Sequence, residues 1–551
     1  MSTRRTFGSL LLAALPAVLS GQGQGLDPSV LGKPPVDAWP TYHGDFTGRR
    51  YSTLNQINSS NIKTLSLAWI YRADPSLDGP NSGGEYKPGD PYYWGGPPTS
   101  VTMKATPLMV NGVLYVSAPD HAYAVDARTG KETWHYAWRT RGGIHIGNRG
   151  MGMHGTSLFF ETPDCYLVSL DAATGQERWH KEIADVRQQY FCTPAPIVIK
   201  NHVIVGIGGD SLDVQGYLES RDPETGDLEW RWYTTPQKMD DVGSDTWPDV
   251  YSMTHGGGMT WQPPTYDPEL NLIYVPTGNP NPVFAPQSRK GDNLFTCSIV
   301  ALNADTGRMV WFFQTSPHDT HDWDSTQVPV LFDATIDGQP RKLLAQAARN
   351  GYFFLLDRTN GKSLLTVPYA DFMNWSLGVN AKGQPIPDPK KDPTVDGVLV
   401  SPGSATNWPP PSYSPQTGLF YVGTSQGYSL NYLTDTDEHP QGFGGGSVGG
   451  GGSGGRTNSL KAIDPKSGKM VWRHPLSQGG VMGLLSTAGG LLFGSDGSGN
   501  FVAYDAATGH PLWHAGLLSN PSNGPTTYML DGRQFVVIGA GDCLYAFTLA
   551  Q

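Results

Sequence analysis

Short stretches of alternating apolar and polar residues, each ended by turn residues, run through most of this chain. Alternation places one set of side chains on each face of a half-buried strand. Thr106–Val110, Val113–Ser117, Ala122–Asp126 and Glu132–Ala137 read as four such strands, with Asn111-Gly112 as the first tight turn between them. A phrase then recurs in which an Asp or Asn opens a turn, a Gly closes it and a Trp follows. It runs from Asp126 to Trp134, Asp171 to Trp179, Asp222 to Trp230, Asn303 to Trp311, Asp464 to Trp472 and Asp505 to Trp513. A further copy, Asp357-Arg-Thr-Asn-Gly361, lacks the Trp. Asp and Gly suit the turn, while the indole supplies a large apolar surface on the strand after it.

Four strands per unit, repeated at about 40–50 residues with insertions, predict an all-β, eight-bladed β-propeller. The Trp copies together with weaker segments around Trp69 and Tyr545 suggest seven or eight blades, and eight is the number taken. Pairing of Leu65–Tyr71 with Gln534–Leu549 would complete the last sheet and hide both edges. Asp74–Ser100, Met239–Ser252, Phe372–Gly397 and Asp435–Gly455 interrupt the repeats and read as long loops, with Gly442–Gly455 Gly/Ser-rich enough to be mobile. Insertions on one face of such a ring cover a central site.

Composition agrees with this architecture and narrows the function. Gly 69 and Pro 45, with only 16% charged residues, favour a turn-rich β protein over helical or disordered material. A net charge of −11 without a basic run argues against nucleic acid as a partner. Arg4-Arg5 followed by an apolar stretch from Phe7 to Leu19 and by Ser20-Gly21 reads as an export signal. The expected organisation is a signal over residues 1–24 and one propeller domain over 25–551, in a periplasmic or secreted protein. No later segment reaches about 18 apolar residues, so no transmembrane segment is expected. Cys165, Cys192, Cys297 and Cys543 form no CxxC or CxxCH, and read most simply as buried small residues.

The candidate chemistry centres on Pro317-His-Asp-Thr-His-Asp-Trp-Asp324, where Asp319, Asp322 and Asp324 stand beside His318 and His321. On an extended segment Asp322 and Asp324 would project to the same side. Paired carboxylates suit a hard cation, or a metal ligand beside a proton acceptor.

Several stretches together resemble the quinoprotein alcohol dehydrogenases, eight-bladed propellers that use pyrroloquinoline quinone (PQQ) and a metal. They are Trp39-Pro-Thr-Tyr-His-Gly-Asp45, Arg50-Tyr-Ser, Gln56-Ile-Asn58, the blade phrase, Gly256-Gly-Gly-Met-Thr-Trp261, Thr277-Gly-Asn279-Pro280 and the acidic cluster. The resemblance implies that Trp261 stacks on the quinone, Asn279 ligates the metal, Asp322 is the catalytic base and also a metal neighbour, and Asp324 is the extra carboxylate of lanthanide-using members. It also implies that Arg349 polarises the quinone oxygens and that Arg149, Thr193 and Asn407 hold the cofactor. The metal would be calcium or a lanthanide, the substrate a small alcohol or sugar, and the electron acceptor a separate protein such as a soluble cytochrome c.

Four departures stand against simple transfer. The family's metal-binding Glu is replaced within Gly208-Gly-Asp-Ser-Leu212, where Ser211 takes its place and Asp210 precedes it. Lys104 stands where the family has a Glu facing the quinone, and could pair with a PQQ carboxylate. Gly143-Ile144 replaces a vicinal cysteine pair, and His321 replaces a Trp, adding a polar contact beside Asp322. A non-catalytic propeller acting as a ligand-binding or assembly scaffold is the competing reading, since propellers host many functions.

Overall fold

The computed structural model describes residues 25–26, 28–76, 81–87, 101–143, 146–209, 213–433, 437, 447–450, 455–479 and 481–550. Eight antiparallel four-strand blades succeed one another along these residues. The first consists of Leu108–Val110, Val113–Ala118, His121–Asp126 and Glu132–Trp138, close to the spans expected from alternation. The inner strands of the next seven begin at Gly152, Ile197, Thr265, Val330, Ser412, Leu485 and Thr526. The last sheet takes Leu65–Arg72 as its outer strand, with Leu65 opposite Leu549 and Arg72 opposite Cys543. The two chain ends thus meet in one sheet and no blade edge is left open there.

The expected loops are partly structured. Phe372–Gly397 carries a hairpin of Ser376–Val379 with Pro385–Pro387, and Met239–Ser252 runs into a short helix, Val250–Thr254. Ser447–Gly450, within the stretch expected to be mobile, pairs with Ser429–Leu433. Most of Asp74–Ser100 and Asp435–Gly455, like the export-signal segment, lies outside the described residues.

The recurring Trp joins one blade to the next. Trp69, Trp134, Trp230, Trp311 and Trp472 each donate their indole N–H, at 3.0–3.2 Å, to the carbonyl that follows the turn-opening Asp or Asn of the next blade. The ring face lies on that same turn's glycine. A Cβ on Gly175 would stand 2.6 Å from Trp134, and one on Gly307 2.5 Å from Trp230. Where the Asp357 copy lacks its Trp, the glycine of the following blade, Gly468, meets Val367 instead.

The segment before the first blade crosses the middle of the ring. Val36, Trp39, Phe46, Thr47, Arg49 and Arg50 make backbone hydrogen bonds with Met529, Met109, Tyr266, Leu331, Tyr413 and Ser486, on the inner strands of six blades. Arg50 is fully buried and donates to the carbonyls of Tyr42, Leu484 and Pro525 at 2.6, 3.1 and 2.6 Å. Burial pulls its guanidinium down to about 10, and the three carbonyls satisfy it without a counter-charge.

Gly175→Ala should test the interlock, because the new methyl meets Trp134 and the residue sits at φ +71°. The expected loss is about 2–4 kcal/mol of unfolding free energy, read from the denaturation midpoint, against a near-neutral Gly338→Asn at an open turn.

Candidate active site

The connections that enter the inner strands arrive at one end of the ring and build a cavity of about 260 Å³ there. Lys104, Arg149, Thr193, Trp261, Asp322, Asp324 and Asn407 each lie on such a connection, and Arg349 lies on the turn that faces them in the fifth blade. All eight line the cavity. Residues scattered over some three hundred positions thus converge because every blade presents the same end of its inner strand to the axis.

Arg349 ties the acidic cluster together. Its Nη2 donates to Asp322 Oδ2 at 2.8 Å, and its Nη1 reaches Asp324 Oδ2 at 2.9 Å and Asp322 Oδ1 at 3.3 Å. Burial pulls the guanidinium down, but the two carboxylates carry it above its ordinary value. Asp324 is buried, and that burial raises its carboxyl against the lowering influence of Arg349, the Asn279 amide and the Trp261 indole. The backbone N–H of Asn279 donates to Asp324 Oδ1 at 2.8 Å.

The convergence of Asp322 and Asp324 has a different origin from the extended segment expected. Asp322 sits at φ +64°, in the left-handed region, so pleating does not align the pair. Between them Trp323 is buried in the core against Trp375, with ring centres 4.4 Å apart. Asp319 holds this turn from inside by accepting the N–H groups of His321 and Trp323 at 3.1 and 3.0 Å. Its burial raises it to about 6, offset by those bonds. Backbone strain at a functional carboxylate of this kind persists only where surrounding contacts over-determine it.

His321 is also placed by the core. Its ring stacks on Trp323 at 4.2 Å, and Nε2 donates to the Lys391 carbonyl at 2.9 Å. The polar contact expected beside Asp322 is thereby directed instead to the 372–397 insertion.

On the opposite wall Arg149 lies over the rings of Trp261 and Trp408, 4.6 and 5.2 Å from their centres. Its Nη1 donates to Thr193 Oγ1, and burial pulls the guanidinium down to about 10. Lys104 donates to the Ile146 carbonyl, and burial, then Arg149, lowers its ammonium. Asn407 lines the cavity with its Oδ1 accepting the Trp408 N–H at 2.8 Å. Asn279 stands behind Asp324, buried and outside the cavity lining, with its amide NH₂ turned to Pro280 and Asn281. Asp210 and Ser211, expected to bear on a metal, lie outside the described residues.

Sequence reasoning missed part of the wall. Phe191 and Trp408 line the cavity, and a disulfide between Cys165 and Cys192 anchors the chain between Phe191 and Thr193. These two cysteines are therefore not simple buried small residues, whereas Cys297 and Cys543 are free and buried as expected. The adjacency of Cys192 to Thr193 was the available signal, but isolated cysteines do not reveal their partner. Gly143, at the first position of the replaced cysteine pair, has φ +91° and packs on the Pro163 backbone, where a Cβ would stand 2.1 Å from the carbonyl oxygen. A cysteine does not fit that conformation.

The donor set suits a planar, oxygen-rich anion and a hard cation. Among the described residues, Arg149 and Arg349 each keep a buried Nε–H without an acceptor. Asp322 and Asp324 bring two anionic donors together, and the backbone of Asn279 is bonded to Asp324 behind them, a set whose oxygens suit a hard cation. Among the described residues no group of three or more His, Cys, Asp or Glu forms a metal cluster.

Comparison with known proteins bears on the family and the fold. The family described as glucose/ethanol/alcohol dehydrogenase, β-propeller domain, under the name PQQ, matches residues 39–394. A second description, outer membrane protein assembly factor BamB, matches residues 456–550. The chain is 35% identical to a quinohemoprotein alcohol dehydrogenase of Comamonas testosteroni, across 91% of this chain and 72% of that protein. It is 34% identical to the quinoprotein alcohol dehydrogenase PedH of Pseudomonas putida, across 90% and 84%. The solved quinohemoprotein alcohol dehydrogenase ADHIIG of Pseudomonas putida HK5 superposes with a TM-score of 0.83 at 31% identity, over 95% of this chain and 82% of that one. A europium-containing methanol dehydrogenase superposes at 0.80 with 27% identity, over 94% and 99%.

The placement of His321 carries a stability prediction. Burial lowers its imidazole from 6.5 to about 4, so the unfolded chain takes up a proton below pH 6.5 that the native state refuses until about pH 4. Stability is therefore lost as pH falls through that window, by about 3 kcal/mol for this residue. His321→Phe should flatten the fall between pH 6.5 and 4 in urea denaturation, at the cost of the Lys391 bond.

Proposed function

The chain belongs to the PQQ-dependent glucose/ethanol/alcohol dehydrogenase family, and we propose that it oxidises small alcohols or sugars at the Asp322–Arg349 cavity. It is an alcohol dehydrogenase with PQQ as its cofactor and calcium or a lanthanide as its metal. One observation carries the site assignment: Arg349 holds Asp322 and Asp324 together in the cavity that Trp261 and Arg149 also line.

Asp322 is the proposed proton acceptor. Arg349, bonded to both its oxygens, fixes the direction of the carboxylate. When bound, PQQ supplies the acceptor for the substrate's hydride, and the metal supplies Lewis acidity. Trp261 would provide the flat apolar face for the cofactor, and Arg149, Thr193, Lys104 and Asn407 its polar edge. Asp324, Asn279 and Asp322 would hold the metal, together with Asp210 or Ser211. The family's metal-site Glu is absent here, and the additional carboxylate of Asp324 offsets that lost charge. Asn279 gains direction from its neighbours, since its NH₂ is occupied and its carbonyl oxygen is the remaining donor.

Export is proposed from the Arg4-Arg5 segment and the apolar stretch after it, and a periplasmic setting follows. No helix among the described residues is long and apolar enough to cross a membrane. Electrons are proposed to leave to a separate acceptor such as a soluble cytochrome c. A scaffold role has no need of a buried Arg between two carboxylates or of a second Arg stacked on two indoles.

Two variants test the assignment. Asp322→Asn should lower kcat by about 10³-fold with PQQ still bound, as measured by cofactor absorbance and dye reduction. Undiminished turnover would remove Asp322 from the base role. Asp324→Ala should selectively reduce lanthanide-supported activity, by about tenfold or more relative to calcium, with equal losses counting against its role as a ligand.

A further inference from the structure

A second cavity, of about 470 Å³, adjoins the first and shares Lys104, Asn407 and Trp408 with it. Arg456, which is exposed, lines it together with Met482 and Pro521, which precede the inner strands of later blades. Its local charge opposes that of the molecule. The chain carries a net charge of −11, yet among the described residues this cavity is lined by two cations, Lys104 and Arg456, and by no Asp or Glu. Clefts lined by one sign of charge concentrate ligands of the other.

Three neutral side chains on this wall, Ser404, Ser522 and Asn523, are already engaged, with Ser404 Oγ donating to the Thr406 carbonyl at 2.8 Å. Ser522 Oγ donates to the Met103 carbonyl at 2.8 Å, and the Asn523 amide donates to the Ala105 carbonyl at 2.6 Å. Lys104 donates to a backbone carbonyl, and its nearest charged neighbour is a cation, Arg149. Recognition by the outer cavity therefore falls to the two cations, with Trp408 and Met482 supplying apolar surface between them.

We propose that the outer cavity is a subsite for the anionic end of the substrate, so that the enzyme takes alcohols bearing a carboxylate, such as ω-hydroxy acids. The carboxylate would lie against Arg456, within the field of Lys104, which lines both cavities and keeps its place at the cofactor's edge; the methylene chain would cross Trp408, and the hydroxyl would enter the inner cavity beside Asp322. The carboxylate takes no part in the oxidation. This inference rests on the reading that alcohol oxidation occurs at Asp322.

The test compares 1-butanol with 5-hydroxypentanoate on the enzyme loaded with PQQ and metal. Arg456→Gln should lower kcat/KM about tenfold for the hydroxy acid and leave that for 1-butanol within about twofold. Glutarate, which cannot be oxidised, should bind the wild type and bind the variant about tenfold more weakly by calorimetry. Equal losses on both substrates, no loss on either, or equal glutarate affinities would overturn the subsite. A weakened PQQ affinity in Arg456→Gln would also overturn it, by assigning the cavity to the cofactor. Absence of turnover on both alcohols would count against the oxidation reading, and glutarate binding would then decide the subsite independently.

Discussion

The indole that reaches from one blade into the turn of the next is the contact on which this molecule depends. A propeller blade has little to pack against except its neighbours, so the ring holds only if each sheet-to-sheet junction is specific. Trp134 meets that need twice, through an N–H bond to the Ala172 carbonyl and through a ring face laid on Gly175. The glycine gives both the left-handed turn and the space, and neither survives a Cβ. Repetition of this junction, with Val367 in place of the indole on Gly468, sets the angular position of the blades, and therefore where each inner-strand connection arrives at the axis.

The site inherits its precision from that ring. Arg349 in one turn meets Asp322 and Asp324 on another connection of the same blade, while Arg149, from three blades earlier, lies over an indole from each of two further blades. Charged groups are held here in surroundings that would otherwise neutralise them. Arg349 compensates the buried carboxylates, and Asp319 accepts two backbone N–H groups that brace the left-handed turn at Asp322. The cysteine pairing adds to this order, since the Cys165–Cys192 bond secures the chain that carries Thr193 to Arg149. Rigid walls with a few directed polar groups hold reacting groups in a fixed orientation.

Alternation of apolar and polar residues and the Asp-turn-Gly-Trp phrase determined the architecture by themselves. Both are local: a strand's two faces and a turn's backbone are written within a few residues, and repetition of the unit leaves a closed ring as the way to bury its edges. The residues of the cavity were also legible, as a resemblance carried by several short motifs. Their geometry was not. That Asp322 turns left-handed, that His321 faces Lys391, that Cys165 finds Cys192, that Trp408 and Phe191 complete the wall and that Asn279 stands behind Asp324 are matters of tertiary placement. Each depends on distances between segments that no spacing along the chain encodes. The acidic stretch announced its chemistry in sequence, and only the packing of eight blades decided which oxygen meets which cation.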